Sequence, residues 1–167
     1  TAKQVFKSVQ LDIVGEEIPV DAELLERIVE PLAHLLRNAI DHGIETPEQR
    51  LGAGKPETGR IILRVGLQGD AAMIELQDDG RGLDLDAIRL RAFGAGLIGP
   101  GQAVDEPQLI RLILLPGFST RSTASVVSGR GIGMDVVNER IATLRGTLAI
   151  TSESGLGTRV LLRFPIA

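Results

Sequence analysis

In Glu30-Pro31-Leu32-Ala33-His34-Leu35-Leu36-Arg37-Asn38-Ala39-Ile40-Asp41-His42-Gly43-Ile44-Glu45, an apolar run and a polar run share one helix. Leu32, Leu35, Leu36, Ala39 and Ile40 continue a pattern begun by Leu24, Leu25 and Ile28, and their spacing makes a broad apolar stripe. Asp21 stands at an N-cap position, Glu23 lies in the first turn, and Gly43 marks the end. Pro31 has no N–H for the helical ladder and should kink or split the helix. Beside the apolar stripe, Glu30, His34, Asn38 and His42 recur every four residues, which keeps their polar groups on one face. A solvated face is the ordinary meaning of such a stripe. This one, however, is almost free of lysine and flanked by apolar residues. A carboxamide and an imidazole one turn apart suit an oxygen-coordinated divalent cation with phosphate ligands, and Asn is a hard donor of the kind magnesium takes. Zinc is not indicated, because no third ligand has metal-motif spacing and the H-E-x-x-H pattern is missing.

Around this helix the chain alternates between strand and helix patterns. Val9, Leu11 and Ile13 alternate with Gln10 and Asp12 over Ser8–Val14, a half-buried strand closed by Gly15-Glu16-Glu17. Residues 44–59 hold Pro47, Gly52, Gly54, Pro56 and Gly59 and read as a connecting loop with room for one helical turn. Ile61–Leu67 and Ala72–Gln77 form a hairpin turning at Gly69-Asp70. Asp84 is placed to cap a helix over Leu85–Ala95, and Pro107 to open one over Gln108–Leu115. Residues 116–133, rich in Gly, Ser and Thr, are expected to be mobile. Gly133–Leu144 is helical again, with Gly146 as its stop. Thr147–Ser152 and Thr158–Phe164 are closing strands joined at Gly155-Leu156-Gly157. The order lacks a regular βαβ repeat, which favours a two-layer α/β sandwich of mixed sheet and helices over a doubly wound sheet.

Composition narrows the function classes. The 167 residues fit one domain, and a fold of that size buries about 70% of its unfolded surface without cross-links. No cysteine is present, which excludes disulfides, thiolate metal sites and a cysteine nucleophile. The net charge of −4 and aromatic content of 2% argue against nucleic-acid binding, by backbone neutralisation or by base stacking. No apolar run approaches the ~18 residues of a membrane span, and no signal peptide is expected. A cytoplasmic setting is expected. Because the first residue is Thr1 and not Met, a fragment of a longer chain is expected too.

Three glycine-rich motifs follow the helix. Asp78-Asp79-Gly80-Arg81-Gly82 comes directly after an apolar strand, and a carboxylate there can accept a hydrogen bond from a purine amino group. An acidic turn is the plainer alternative. Gly129-Arg130-Gly131-Ile132-Gly133 leads into a helix, where exposed backbone N–H groups can cradle phosphate. It lacks the preceding strand of a dinucleotide fold, and Gly54-Lys55-Pro56 is not a Walker loop. Gly155-Leu156-Gly157-Thr158 reads by itself as a hairpin turn. An Asn helix, an acid-glycine turn, a glycine-rich helix start and a glycine-threonine strand in that order are the informative feature.

This combination resembles the ATP-binding domain of the GHKL superfamily, which includes gyrase, Hsp90, MutL and the sensor histidine kinases. Residues 30–45 resemble the N box of CheA-type chemotaxis kinases. Asp78–Leu83 resembles the first glycine box, Pro116-Gly117-Phe118-Ser119-Thr120 the F box, and Gly129–Val137 the second glycine box. The resemblance covers nearly the whole chain and implies the Bergerat-type two-layer fold over 1–167. It implies that Asn38 ligates magnesium, with His34 beside the cation and the γ-phosphate as the second candidate ligand. Arg37, Asp41 and His42 fall near the phosphates. Asp78 would accept from the adenine amino group, with Gly80, Gly82 and Leu83 in the same nucleotide site. An ATP lid would span about 116–130, including Phe118, Ser119, Thr120 and Arg121. Gly129, Gly131, Gly133 and Met134 would meet the phosphates, and Thr158 would close the adenine pocket.

The implied activity is Mg-ATP-dependent phosphoryl transfer to a histidine on a separate acceptor domain of the same kinase. Both histidines of this chain lie in the N box, and the acceptor, dimerising and receptor-coupling domains are absent from it. The fragment alone is expected to be monomeric. Hydrolytic relatives carry Glu where His34 stands, which disfavours a hydrolytic ATPase. A nucleotide-sensing module without catalysis is the other alternative. Relatives often place Lys at the positions of Ala87, Arg91 and Arg121; Arg91 and Arg121 keep the charge with different reach, and Ala87 loses it.

Overall fold

The computed structural model describes residues 7–15, 22–118 and 133–165. Its strands are β1 (Val9–Gly15), β2 (Gly59–Gln68), β3 (Ala71–Asp78), β4 (Thr147–Glu153) and β5 (Gly157–Pro165). Its helices are α1 (Ala22–Asn38), α2 (Pro47–Gly52), α3 (Leu85–Gly94), α4 (Glu106–Leu112) and α5 (Met134–Thr143), with a π-helical turn at Ala39–Gly43. The strands form one mixed sheet in the order β1-β2-β3-β5-β4. β1 runs parallel to β2, and every other pairing is antiparallel.

The period-two patterns decide which face of the sheet is covered. Ile61, Ile74, Leu76, Val160, Leu162, Phe164 and Leu148 come from one face and pack with Ile28 and Leu35 of α1, with Ala39 of the π turn and with Val137 and Ile141 of α5. The other face carries Arg64, which pairs with Glu75 at 2.7 Å, and Arg60, which pairs with Asp12 at 2.8 Å. One covered and one charged face make a two-layer sandwich. A smaller core of Ala92, Ile98, Ile113 and Phe118 joins α3 and α4, and Leu114, Met134 and Ile150 connect it to the main one.

Four local expectations need correction. Pro31 does not split α1: the helix runs unbroken through it, and Pro31 is itself fully buried, so packing offsets the lost ladder bond. β1 is less buried than its alternation implies. It is an edge strand, and Leu11 and Ile13, although in register with the covered residues Ile61 and Leu63, remain 43% and 70% exposed. Gly146 is not the left-handed stop of α5. Arg145 takes that role at φ 61°, with Arg145 N–H bonding Ala142 O and Gly146 N–H bonding Ile141 O. Gly146 is required instead because a Cβ would lie 2.8 Å from Arg163 O. Pro107 does not open α4 either; the helix starts one residue earlier, at Glu106, capped by Asp105. The expected N-cap at Asp21 and the expected mobile stretch within 119–132 lie outside the described residues.

Other turn chemistry agrees with the sequence. The hairpin turns at Gly69-Asp70 with Gly69 at φ 60°, and Asp84 caps α3 by accepting from Ala87 N–H at 3.0 Å. The loop at 44–59 holds α2, opened by a capping box between Thr46 and Gln49. No helix among the described residues is long and apolar enough to cross a membrane.

Ile141 tests the packing of α5 on the sheet. It is fully buried, and Ile141→Ala should cost about 2–5 kcal/mol in urea unfolding. A loss below ~1 kcal/mol would contradict this packing.

Candidate functional site

β3 ends by carrying its inward-facing alternation one step too far. After Ala72, Ile74 and Leu76 the next inward residue is Asp78, a carboxylate only 8% exposed. Its Oδ1 accepts from Gly80 N–H at 2.9 Å, and the backbone of Thr158 supplies another hydrogen bond. Burial is the main influence on this group and pushes its pKa up, and the negative charges of Asp79 and Glu45 act in the same direction. The two backbone hydrogen bonds pull the other way without cancelling the rise.

The surrounding backbone comes close enough to exclude side chains. A Cβ on Gly80 would lie 2.1 Å from Gly43 O, and one on Gly157, at φ 132°, would lie 2.0 Å from Asp78 O. Arg81 N–H donates to Gly43 O at 2.8 Å, which fastens the acid-glycine turn to the end of the N-box helix. On the other side, Leu83 N–H donates to Ser152 Oγ at 2.8 Å, and that hydroxyl lies 3.2 Å from Thr158 Oγ1. Gly82, at φ 79°, sits against Glu153 O. Asp78, Gly80, Gly82, Leu83 and Thr158, scattered over eighty residues of sequence, thus form one cluster. Ser152 belongs to it and carries no sequence signal, since a Ser in a polar strand is unremarkable.

The phosphate-type motifs meet at a second cluster. Asn38 Nδ2 donates to Met134 Sδ at 3.6 Å, which brings the N box onto the first residue of α5. With the amide nitrogen so engaged, the carboxamide oxygen is the donor Asn38 can offer elsewhere. Gly133 caps α5, and no cap side chain bonds the first N–H groups of that helix. His34 is half-buried one turn below Asn38. The polar stripe is not uniform, however. Glu30 forms an ion pair with Arg140, whose hydrogen bond and charge hold its carboxyl below the ordinary range. Beyond Asn38 the α-helical spacing gives way to the π turn, closed by Ile44 N–H on Ala39 O at 2.8 Å. Arg37, Asp41 and His42 are exposed.

The F box begins where the small core ends. Phe118 is buried in that core, its carbonyl accepts from Arg91 Nη1 at 3.2 Å, and Gly117 N–H donates to Asp135 Oδ2 at 3.0 Å. Ser119, Thr120, Arg121, Gly129 and Gly131 lie outside the described residues. Among the described residues, no group of three acidic or histidine side chains converges as a metal cluster. A cation here would need Asn38 with ligands from outside the chain, a pattern magnesium accepts because it keeps waters and phosphates.

The raised pKa of Asp78 fixes the sign of a pH effect. A carboxyl whose pKa is higher folded than unfolded stabilises the fold below its ordinary value of 3.8, and that contribution disappears as pH rises through the folded value. At neutral pH the buried charge therefore costs stability. Asp78→Asn should be more favourable relative to the wild type at about pH 7 than at about pH 4, as measured by urea unfolding. A difference that does not vary with pH would contradict the assignment.

Residues 23–167 match the model of the histidine kinase-, DNA gyrase B- and HSP90-like ATPase family. The chain is 42% identical over 165 residues to the chemotaxis protein CheA of Treponema pallidum, covering 99% of this chain and 20% of that protein. It is 45% identical over 161 residues to the gliding motility regulatory protein of Myxococcus xanthus, covering 95% of this chain and 21% of that protein. With CheA of Bacillus subtilis it shares 40% identity over 166 residues, 98% of this chain and 25% of that protein. It therefore spans about a fifth to a quarter of the relatives it matches. In fold it is similar to the histidine kinase domain of a blue-light-activated kinase from Erythrobacter litoralis, with TM-score 0.57 and 18% identity over 95% of this chain and 52% of that one. The catalytic domain of the histidine kinase ThkA gives TM-score 0.56 and 14% identity over 95% and 78% of the two chains. The carboxylate cradle and the junction of the Asn helix with α5 thus lie on a known ATPase scaffold, and the chain belongs to the histidine kinase-, DNA gyrase B- and HSP90-like ATPase family, GHKL in fold and similar along nearly its whole length to the ATP-binding domain of CheA-type kinases.

Proposed function

We propose that this chain binds Mg-ATP and transfers the γ-phosphoryl group to a histidine on a separate acceptor domain of the same kinase, in chemotaxis or motility signalling. The observation that carries the reading is the buried Asp78 carboxylate, held at the bottom of a glycine-lined cradle next to Thr158. A desolvated acceptor with this much surrounding backbone suits a flat base that donates from an exocyclic amino group. Adenine carries its amino group at C6, where guanine carries a carbonyl, so a site that accepts from that position would discriminate between ATP and GTP. The phosphates would then extend toward Asn38, His34 and the start of α5 at Gly133 and Met134. Arg37, Asp41 and His42 border that region, and Arg91 and Phe118 form the root of the F box, from which Ser119, Thr120, Arg121, Gly129 and Gly131 would complete the lid.

Asn38 would hold magnesium through its carboxamide oxygen, with His34 beside it, and the ion would neutralise charge on the phosphates. This chain's part in the reaction is positioning. An imidazole nitrogen of the acceptor bonds to the γ-phosphorus as the bond from phosphorus to the β,γ-bridging oxygen breaks, ADP leaves, and the imidazole loses a proton. Transfer without hydrolysis requires that no base activates water. His34 stands where hydrolytic relatives carry Glu, and the neighbouring acid, Glu30, is paired with Arg140. Both observations favour the kinase over a hydrolytic ATPase. Neither histidine of this chain stands apart from the N box, so the acceptor comes from another part of the protein. The relatives are four to five times longer than the part of them matched here, which leaves room for acceptor, dimerising and coupling domains. Nucleic acid and membrane insertion have no part in this reading, the compartment is the cytoplasm, and the isolated chain is a monomer.

Asn38→Asp should abolish magnesium-dependent nucleotide retention, measured by calorimetry, while circular dichroism stays unchanged. Binding that is equal in both proteins would remove Asn38 from the metal site. Supplied with labelled ATP and the histidine-containing domain of a CheA relative, the chain should produce an acid-labile, alkali-stable phosphoprotein. Steady release of inorganic phosphate without that product would turn the reading toward hydrolysis.

A further inference from the structure

Behind the Asp78 cradle lies a group of ions that the nucleotide reading does not use. Arg50, on the short helix α2, is wholly buried. Its Nε donates to Pro56 O at 2.6 Å, Nη1 to Glu45 Oε1 at 3.0 Å and to Asp79 O at 3.2 Å, and Nη2 to Asp79 Oδ2 at 3.0 Å. Lys55 Nζ donates to Glu45 Oε2 at 2.7 Å, to Asp79 O at 3.0 Å and to Gly80 O at 2.8 Å. An ammonium group has three protons, and here there are three acceptors. Glu45 is the shared counter-ion. Burial pushes its carboxyl pKa up, but the Lys55 hydrogen bond, a backbone hydrogen bond and the charges of Lys55 and Arg50 outweigh burial and hold it below the ordinary 4.5.

The backbone atoms these cations select give the cluster its meaning. Asp79 O and Gly80 N belong to one peptide unit, and in a trans peptide the carbonyl and the N–H point in opposite directions. Lys55 and Arg50 grip the carbonyl end, and the N–H end points at Asp78 Oδ1. The next peptide repeats the arrangement: Lys55 holds Gly80 O, and Arg81 N–H points at Gly43 O. Cations on the carbonyls also polarise both units and strengthen the N–H donors at their far ends. A cluster needed only for stability has no reason to choose these two carbonyls.

We propose that Lys55 and Arg50, held by Glu45, are positioning residues for base recognition: by gripping the Asp79 carbonyl they aim Gly80 N–H at the Asp78 carboxylate, and Lys55, on the Gly80 carbonyl, aims Arg81 N–H at Gly43 O, which fastens the turn. The inference rests on the nucleotide reading given above. It assigns a role to Gly54-Lys55-Pro56, a stretch that is not a phosphate loop and that works on the opposite side of the turn from the ligand.

The test uses the chain as it is, with calorimetric titrations of ATP, GTP and inorganic tripolyphosphate at a temperature well below the unfolding midpoint of every variant. Lys55→Met should weaken ATP binding about tenfold, lower the ATP-to-GTP preference toward that of Asp78→Asn, and leave tripolyphosphate binding unchanged. Lys55→Arg should restore most of the loss, and Lys55→Met added to Asp78→Asn should cost no further affinity. If Lys55→Met does not fold, Glu45→Gln should give the same pattern at smaller size. Wild-type ATP affinity and preference in Lys55→Met, or an equal loss for all three ligands, would overturn the positioning role while the difference between wild type and Asp78→Asn upheld the site. A wild type that binds no ATP, or an Asp78→Asn that binds it equally well, would overturn the nucleotide reading first and the positioning role with it.

Discussion

A carboxylate buried at the end of a strand is the constraint around which this molecule is organised. Asp78 sits where the inward alternation of β3 calls for another aliphatic residue, and its ionised form is penalised there. Backbone N–H groups offset part of that cost, and they can reach the carboxylate only if the chain around it carries almost no side chains. Hence the glycines at 43, 80 and 157, which come from three different segments. The ion cluster of Arg50, Lys55, Glu45 and Asp79 then fixes the peptides between them. Buried ion pairs of this kind are weak evidence for stability in themselves, since desolvation offsets much of the attraction. Their retention next to a recognition group is easier to understand as geometry.

The two-layer fold serves the site by bringing helix ends together at one edge of the sheet. α1 and α5 pack side by side on the covered face, so the last residue of one meets the first residue of the other at Asn38 and Met134. The π turn after Asn38 carries the chain to Gly43, whose backbone is the wall against which the acid-glycine turn closes. A single helix therefore serves both ends of the proposed nucleotide, with cation and phosphates at Asn38 and the base at Gly43. The wider turn separates those two functions along one continuous element, and such π turns are frequent at functional sites.

Much of this was legible in the residues. Periodicity located the strands and long helices, because alternation and three-to-four spacing follow directly from which face is covered. Turn chemistry located the hairpin at Gly69-Asp70 and the cap at Asp84. Asn38, Asp78, Gly82 and Thr158 stood out as a recurring order of motifs. Less visible were residues whose role depends on a partner distant in sequence. Ser152 tethers the first glycine box, yet nothing around it is unusual. Arg50 and Lys55 fall in the stretch 44–59 that reads as a connecting loop, although Thr46-Pro47-Glu48-Gln49 is a capping signature that could have revealed α2. Pro31 and Gly146 were misjudged for one shared reason: local rules describe what a residue does to its own segment, whereas both are governed by what packs against them.

The sequence by itself determined most of the strands and the longer helices, the apolar stripe of the first long helix, the membership of the family and the residue types available for binding. These follow from local chemistry and from short motifs in which spacing carries the information. Only the tertiary structure decided that β1 lies exposed at an edge, that Glu30 is taken up by Arg140, and that two cations from an apparent loop grip the peptides behind Asp78. Those facts depend on distances between segments tens of residues apart. They are set by how the sheet and helices close on each other, and no local pattern encodes them.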